Sequence, residues 1–251
     1  MQTTLVTSDV FDFLRSTPSQ SIDCVITDPP YEALDKHRAK GTTTRLGRWF
    51  PSMPDSVWPS VFDEFHRVLK PNSHLYVFCD PSSMPTFVDA GYMNGFNFWK
   101  PLIWDKEAIG MGYHYRCQYE MILFFEKGKR KLNNLGISDV IRCKRIHPSR
   151  SVWPTEKPID VARILIEQST QRGETVLDPF CGSGFVSSAA VDAGRGFCCA
   201  DMNDGAIKIA RERALKRLES SGAFPPASEK CCGGTDHNKS MHVNDCPLLS
   251  R

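Results

Sequence analysis

Thr175-Val176-Leu177 and then Asp178-Pro179-Phe180-Cys181-Gly182-Ser183-Gly184 carry this chain from a short apolar run into an acid, a proline and two glycines. Such a run closing in turn residues reads as a buried strand that delivers a loop to the edge of a sheet. Residues 187–193 continue as a helix, and 197–200 form the next strand, which ends in Asp201. Strand, loop, helix, strand and acid in that order form the repeating unit of an α/β fold, whose ligands bind outside the carboxyl ends of the strands. Gly182 and Gly184 let backbone approach a ligand closely, and the N–H groups at the helix start can receive a carboxylate. An acid at Asp201 can accept hydrogen bonds from both hydroxyls of a ribose. The plainer alternative is a structural turn and a capping Asp. Only one glycine pair is present, so the full dinucleotide fingerprint is missing and NAD is disfavoured.

A second run has the same form. Ile22 to Thr27 is apolar and ends in Asp28-Pro29-Pro30-Tyr31. Two loops therefore meet one rim of the sheet: one with an acid, a rigid proline pair and an aromatic, the other with glycines. That layout suits a planar amine set against a nucleotide-like cofactor.

Asp28-Pro29-Pro30-Tyr31 resembles the catalytic signature of S-adenosylmethionine-dependent methyltransferases that act on exocyclic amines of DNA bases. Phe180-Cys181-Gly182-Ser183-Gly184 resembles their cofactor loop. The catalytic motif precedes the cofactor motif by about 150 residues, as in the permuted, beta-type members, and the likeness runs from roughly Thr4 to Leu218. The resemblance implies a doubly wound, mainly parallel Rossmann-like sheet in circularly permuted order, with S-adenosylmethionine as cofactor and double-stranded DNA as partner. It implies no metal. It also implies cofactor contacts from Asp9, Asp28, Asp178, Phe180, Cys181, Gly182, Ser183, Gly184, Asp201, Met202 and Asn203. Trp153-Pro154-Thr155-Glu156-Lys157-Pro158 is similar to a family segment beside the cofactor loop, where Thr155 and Lys157 would touch the methionine carboxylate; Trp153 stands where the family usually has His. Trp104-Asp105-Lys106, Arg116 and Glu120 resemble a segment that helps to form the base pocket. Phe185 replaces a smaller residue and is expected to narrow that pocket.

The chemistry explains the residue types. An exocyclic amine is a poor nucleophile because its lone pair is delocalised into the ring. A carboxylate from Asp28 and the Pro29 carbonyl, accepting its two N–H bonds, would favour the tetrahedral nitrogen that attacks a sulfonium methyl. Pro29 and Pro30 stiffen the loop. Tyr31 would stack on a flipped base; flipping costs a few kcal/mol and stacking returns ~1–3 kcal/mol. An Asp-led motif favours adenine N6 over cytosine N4. Relatives that methylate RNA or protein glutamine usually carry an Asn-led motif in the opposite order. A non-catalytic supporting subunit would show decayed motifs, and both are intact here.

The charge distribution fits a polyanionic partner. Of a net charge of +2, residues 127–150 carry +7 and residues 35–48 carry +4, which leaves −9 on the remainder. Arg38, Lys40, Arg45, Arg48, Lys129, Arg130, Lys131, Arg142, Lys144 and Arg145 are the candidates for DNA phosphates and guanine edges. No separate recognition domain is visible, which implies a short site or a reader completed by a second copy in a homodimer. The 251 residues suit one domain over residues 1–220 and a mostly disordered tail over 221–251. That tail's Cys231, Cys232, His237, His242 and Cys246 match no common zinc spacing. No run of eighteen apolar residues or signal peptide is present, so no membrane association is expected. The ten cysteines fall mainly in strands and read as buried thiols in a reducing, cytoplasmic setting.

Overall fold

The computed structural model describes residues 2–30, 53–110, 114–147, 149–153 and 156–220. Their strands form one eight-stranded sheet, with six α-helices on its two faces. In chain order the elements are β1 (Thr3–Thr7), α1 (Val10–Ser16), β2 (Ile22–Thr27), α2 (Trp58–Val68), β3 (Leu69–Cys79), α3 (Met84–Met93), β4 (Asn97–Asp105), β5 (Tyr119–Lys127), β6 (Val140–Arg142), α4 (Ile159–Ser169), β7 (Thr175–Asp178), α5 (Phe185–Asp192), β8 (Gly196–Asp201) and α6 (Asp204–Ser220).

The strands lie in the order β1-β8-β7-β2-β3-β5-β4-β6. Every pairing is parallel except those of β5, which runs against both β3 and β4. From β7 the chain winds to β8 on one side, and from β2 it winds to β3 on the other. The order therefore reverses between β7 and β2, the place where open α/β sheets bind ligands. The mainly parallel, doubly wound sheet expected from the sequence is the one observed.

Helix faces explain the layering. On α2, Trp58, Val61, Phe62, Phe65 and Val68 recur at helical spacing and are all buried. With α1 and α3 they cover one face of the sheet, around Val25, Leu75, Val77 and Phe125. The other face carries α4, α5 and α6 over Ile26, Phe78, Val176 and Phe197. Burying side chains of this size contributes about 1.5–3 kcal/mol each before entropy is counted. Strand β2 is buried throughout, as a central parallel strand must be.

Two elements were not legible in the sequence. Helix α3 contains Pro85 and Gly91, which mask its periodicity. Gly91 is there for packing: a Cβ would come 2.5 Å from Phe125. Strand β6 is three residues long with only Ile141 buried, and it exists because β4 offers it a parallel edge. The expected loop over 32–55 lies outside the described residues up to Ser52; Asp55–Val57 form a single 3-10 turn before α2. The tail over 221–251 also lies outside them, as does its candidate metal cluster.

Candidate active site

The sheet brings a row of acids to one rim. Thr7 at the end of β1 is in register with Asp201 at the end of β8, and Asp178 at the end of β7 with Cys199. Asp28 follows β2 beside them, and the Thr27 hydroxyl donates to Asp178 Oδ1 at 2.8 Å. Because β5 is antiparallel, its first residues share this rim: Tyr119 is opposite Asp105 and Glu120 is opposite Trp104. One reversed strand therefore adds a carboxylate that chain order alone would not place there.

The glycine loop is shaped by its own contacts. Gly182 and Gly184 have φ of +49° and +82°, the left-handed region that favours glycine. The Gly182 N–H donates to Asp201 Oδ2 at 2.9 Å, and the Asn203 N–H donates to Asp201 Oδ1 at 2.9 Å. Asp201 thus ties the loop to the start of α6, and each of its oxygens retains a further lone pair. The indole of Trp153 lies over Gly182, with Nε1 3.5 Å from where a Cβ would stand. Arg213 of α6 donates to Ser183 and pairs with Glu156, clamping the loop from outside.

These groups fit the cofactor implied above. Asp178 is fully buried, yet its Oδ2 has no hydrogen-bond partner among the described residues. Burial pushes its carboxyl up to about 8, helped by Asp28 and Asp201 nearby. A ligand would satisfy that orphaned oxygen. Asp201 also lies above the ordinary carboxylate value because of burial, and its two backbone donors pull it part of the way back.

A chain of four charges runs along the other half of the site. The Lys157 ammonium bonds Asp28 Oδ2 and lies 3.2 Å from Glu120 Oε2. Lys106 holds the other Glu120 oxygen at 2.7 Å. The Lys157 ammonium also sits 4.9 Å from the centroid of the Phe78 ring, which Phe185 supports edge-on. A cavity of about 490 Å³ adjoins this chain, lined by Trp104, Lys106, Glu120, Arg145, Trp153 and Lys157 among others. Burial raises Asp28, and the attraction of Lys157 only partly offsets it. For Glu120, burial is outweighed by Lys157 and Lys106, which hold it below its ordinary value.

The structure sorts the residues singled out in the sequence. Asp28, Pro29 and Pro30 stand at the rim, and the Pro30 carbonyl accepts from the Met53 N–H at 3.2 Å. Tyr31 and Thr155 lie outside the described residues. Asp9 caps α1 through the Phe11 N–H, next to the end of β8. Met202 is 62% exposed beyond Asp201, and Asn203 caps α6 through the Ala206 N–H. Cys181 and Ser183 are buried, while Phe180 packs near Trp58. Phe185 is 6% exposed and turned into the core, so it does not narrow the pocket as expected.

The basic residues divide. Arg142 ends β6 opposite Asp105, and Lys144 and Arg145 follow it along the rim. Lys129, Arg130 and Lys131 follow the far end of β5, where Lys127 is opposite Ser73. A nine-residue strand separates them from the acids, about 27 Å at a rise of ~3.4 Å per residue. Arg130 is committed there to Glu174 at 2.6 Å. The antiparallel turn of β5 sends the two ends of the basic stretch to opposite edges of the sheet. Arg38, Lys40, Arg45 and Arg48 lie outside the described residues. Sequence reading gave Lys106 and Glu120 a general place in the base pocket but not their charge chain with Lys157 and Asp28, and it missed Arg213. The first two follow from the direction of β5, which no motif reports.

A family model described as DNA methylase matches residues 22–212. The DNA adenine methyltransferase YhdJ of Escherichia coli (strain K12) is 25% identical over 257 residues, covering 88% of this chain and 84% of that protein. The crystal structure of the M1.HpyAVI–SAM complex superposes with a TM-score of 0.64 at 19% identity, covering 84% of this chain and 100% of that one. The PvuII DNA methyltransferase, described as cytosine-N4-specific, superposes with a TM-score of 0.66 at 14% identity, covering 87% of this chain and 91% of that one.

Proposed function

The chain belongs to the N6/N4 family of DNA methylases, and from that membership we propose that it methylates adenine N6 in double-stranded DNA, with Asp28 accepting from the amine. Its class of reaction is that of the family: S-adenosylmethionine-dependent, site-specific DNA methylation. The observation that carries the residue assignment is the rim itself. Asp28 stands one residue beyond Thr27, whose hydroxyl holds Asp178 of the cofactor loop. Acceptor and cofactor loops are therefore joined through this hydrogen bond.

When bound, S-adenosylmethionine supplies an electrophilic sulfonium methyl. Asp201 holds its ribose, and the Gly182–Gly184 turn, with Phe180, Cys181 and Ser183, gives it a close-fitting backbone wall. Asp9, Met202 and Asn203 border the nucleoside end. Asp28 and the Pro29 carbonyl accept from the target amine and favour the tetrahedral nitrogen, and the two prolines keep their spacing fixed. Tyr31 stacks on the extruded base. Arg142, Lys144 and Arg145 meet phosphates at this rim. The Asp-led motif supports adenine, and so does the likeness to a named adenine methyltransferase. Cytosine N4 is the second reading, favoured by the superposition on a cytosine-N4-specific enzyme. A second copy would complete sequence reading. A reducing cytoplasm is the working setting, supported by seven unpaired cysteines among the described residues. No helix among those residues is long and apolar enough to cross a membrane.

Transfer of labelled methyl to unmethylated genomic DNA, followed by nucleoside mass spectrometry, tests this. N6-methyladenine is the expected product; N4-methylcytosine would replace the acceptor, and unlabelled DNA would overturn the reading. Asp201→Ala is expected to weaken cofactor binding about 10–100-fold, because hydrogen bonds to a charged acceptor contribute ~1.5–3 kcal/mol. An unchanged dissociation constant by calorimetry would exclude the ribose contact.

A further inference from the structure

Lys157 is the most enclosed cation of the site, with a side chain 7% exposed. An ammonium has three donors. Here Asp28 takes one, Glu120 another at 3.2 Å, and the Phe78 ring face lies 4.9 Å away on a further side. A carboxylate arriving from the cofactor would have to displace one of these. The grip is also built from three separate elements: Asp28 follows β2, Glu120 is on β5, and Lys157 precedes α4. Lys106 closes the arrangement by holding the other Glu120 oxygen at 2.7 Å.

We propose that Lys157 is a positioning residue for Asp28: anchored by Glu120, it holds one carboxylate oxygen and the negative charge of Asp28, leaving Oδ1 for the amine, and it does not bind the cofactor carboxylate. This rests on the reading of Asp28 as the amine acceptor. Bonding Oδ2 fixes the plane of the carboxylate, so the direction of Oδ1 is set before substrate arrives. The positive charge matters as much as the bond. Burial favours a neutral Asp28, Glu120 repels its charge, and Lys157 and Lys106 oppose both. Among the described residues, Asp178, whose carboxyl burial raises, and the raised thiol of Cys79 also face it. A protonated Asp28 has one acceptor oxygen fewer and no charge with which to favour a developing ammonium.

Two substitutions then have opposite effects. Lys157→Met removes the stabilising charge, so the Asp28 carboxyl moves to higher pH by about 1–3 units. Glu120→Gln removes a repelling charge, so it moves to lower pH. The measurement is a ¹³C carboxyl titration of the full-length protein, with the Asp28 signal assigned by its disappearance in Asp28→Asn. It is read beside kcat against pH on unmethylated genomic DNA and beside the calorimetric dissociation constant for S-adenosylmethionine. Support is an acid limb of kcat that follows the Asp28 titration upward in Lys157→Met and downward in Glu120→Gln, with cofactor affinity retained. Lys157→Arg keeps the charge, so its acid limb stays put while its plateau falls. An unmoved Asp28 titration in both variants, or loss of cofactor affinity as the main effect of Lys157→Met, overturns the proposal. If Lys157→Met does not fold, Glu120→Gln decides by the sign of its shift. A wild-type protein that labels no DNA overturns the Asp28 assignment, whereas the titration still reports on Lys157.

Discussion

Asp28→Asn is expected to lower kcat by about 10³-fold or more while the cofactor dissociation constant stays within a factor of ~10. Asn has nearly the same shape, so Pro29 and Pro30 keep their places at the rim. It lacks the charge, and its amide nitrogen is a donor where the target amine also offers donors. The nitrogen then attacks without the acceptor that favours its tetrahedral form, a loss confined to the transition state. Lys157 retains Glu120 as a partner, so the site keeps most of its packing. Single-turnover transfer of labelled methyl measures the effect. Turnover within tenfold of wild type would remove Asp28 from the chemistry, and a collapse of cofactor affinity would recast it as a cofactor ligand.

Gly184→Ala is expected to have the largest effect on stability, about 3 kcal/mol or more. A left-handed backbone costs a residue with a Cβ roughly 1–2 kcal/mol, and overpacking adds ~1–3 kcal/mol. Both apply at this position. Its φ is +82°, and the new methyl would lie 2.7 Å from Ala210 Cβ, 2.9 Å from Ala210 Cα and 2.8 Å from Ser187 Oγ. Two of those atoms belong to a neighbouring helix and cannot swing away. Gly184 is also the residue before α5, so a shift there would misalign the loop that faces the cofactor. Denaturant unfolding in the presence and absence of S-adenosylmethionine would register a lower midpoint in both. A midpoint unchanged from wild type would mean that α6 yields easily, against the clamp seen at Arg213.

Much of this architecture could be read from the chain because local and global signals agree. The runs at 22–27 and 175–177 are strands at the centre of the sheet, and the acids that close them stand side by side. The helical spacing of Val61, Phe65 and Val68 marks a face that is buried. Long-range geometry was less legible. Lys157 precedes α4 by sequence, but its partners lie 129 residues away at Asp28 and on β5 at Glu120. Pairing across such distances depends on strand order and direction, which periodicity does not encode. The basic stretch shows the same limit from the other side: eight cations look like one patch on paper, yet the ends of β5 and β6 carry them to different edges. Gly91 marks a further limit, since a glycine required by the neighbouring Phe125 ring reads locally as a helix breaker.

The first strand carries a consequence for biosynthesis. Among the described residues, strand β1 joins the sheet through β8 alone, with Thr3 opposite Phe197. When ribosomes add ~5–20 residues per second, the roughly 190 residues between the two mean that β1 waits about 10–40 s for β8. During that interval Leu5, later among the most enclosed residues of the molecule, lacks the strand that pairs beside it, whereas the apolar side of α1 already packs on α2. The half of the sheet that carries the glycine loop is thus completed only once β8 has been made, long after the strand that borders it.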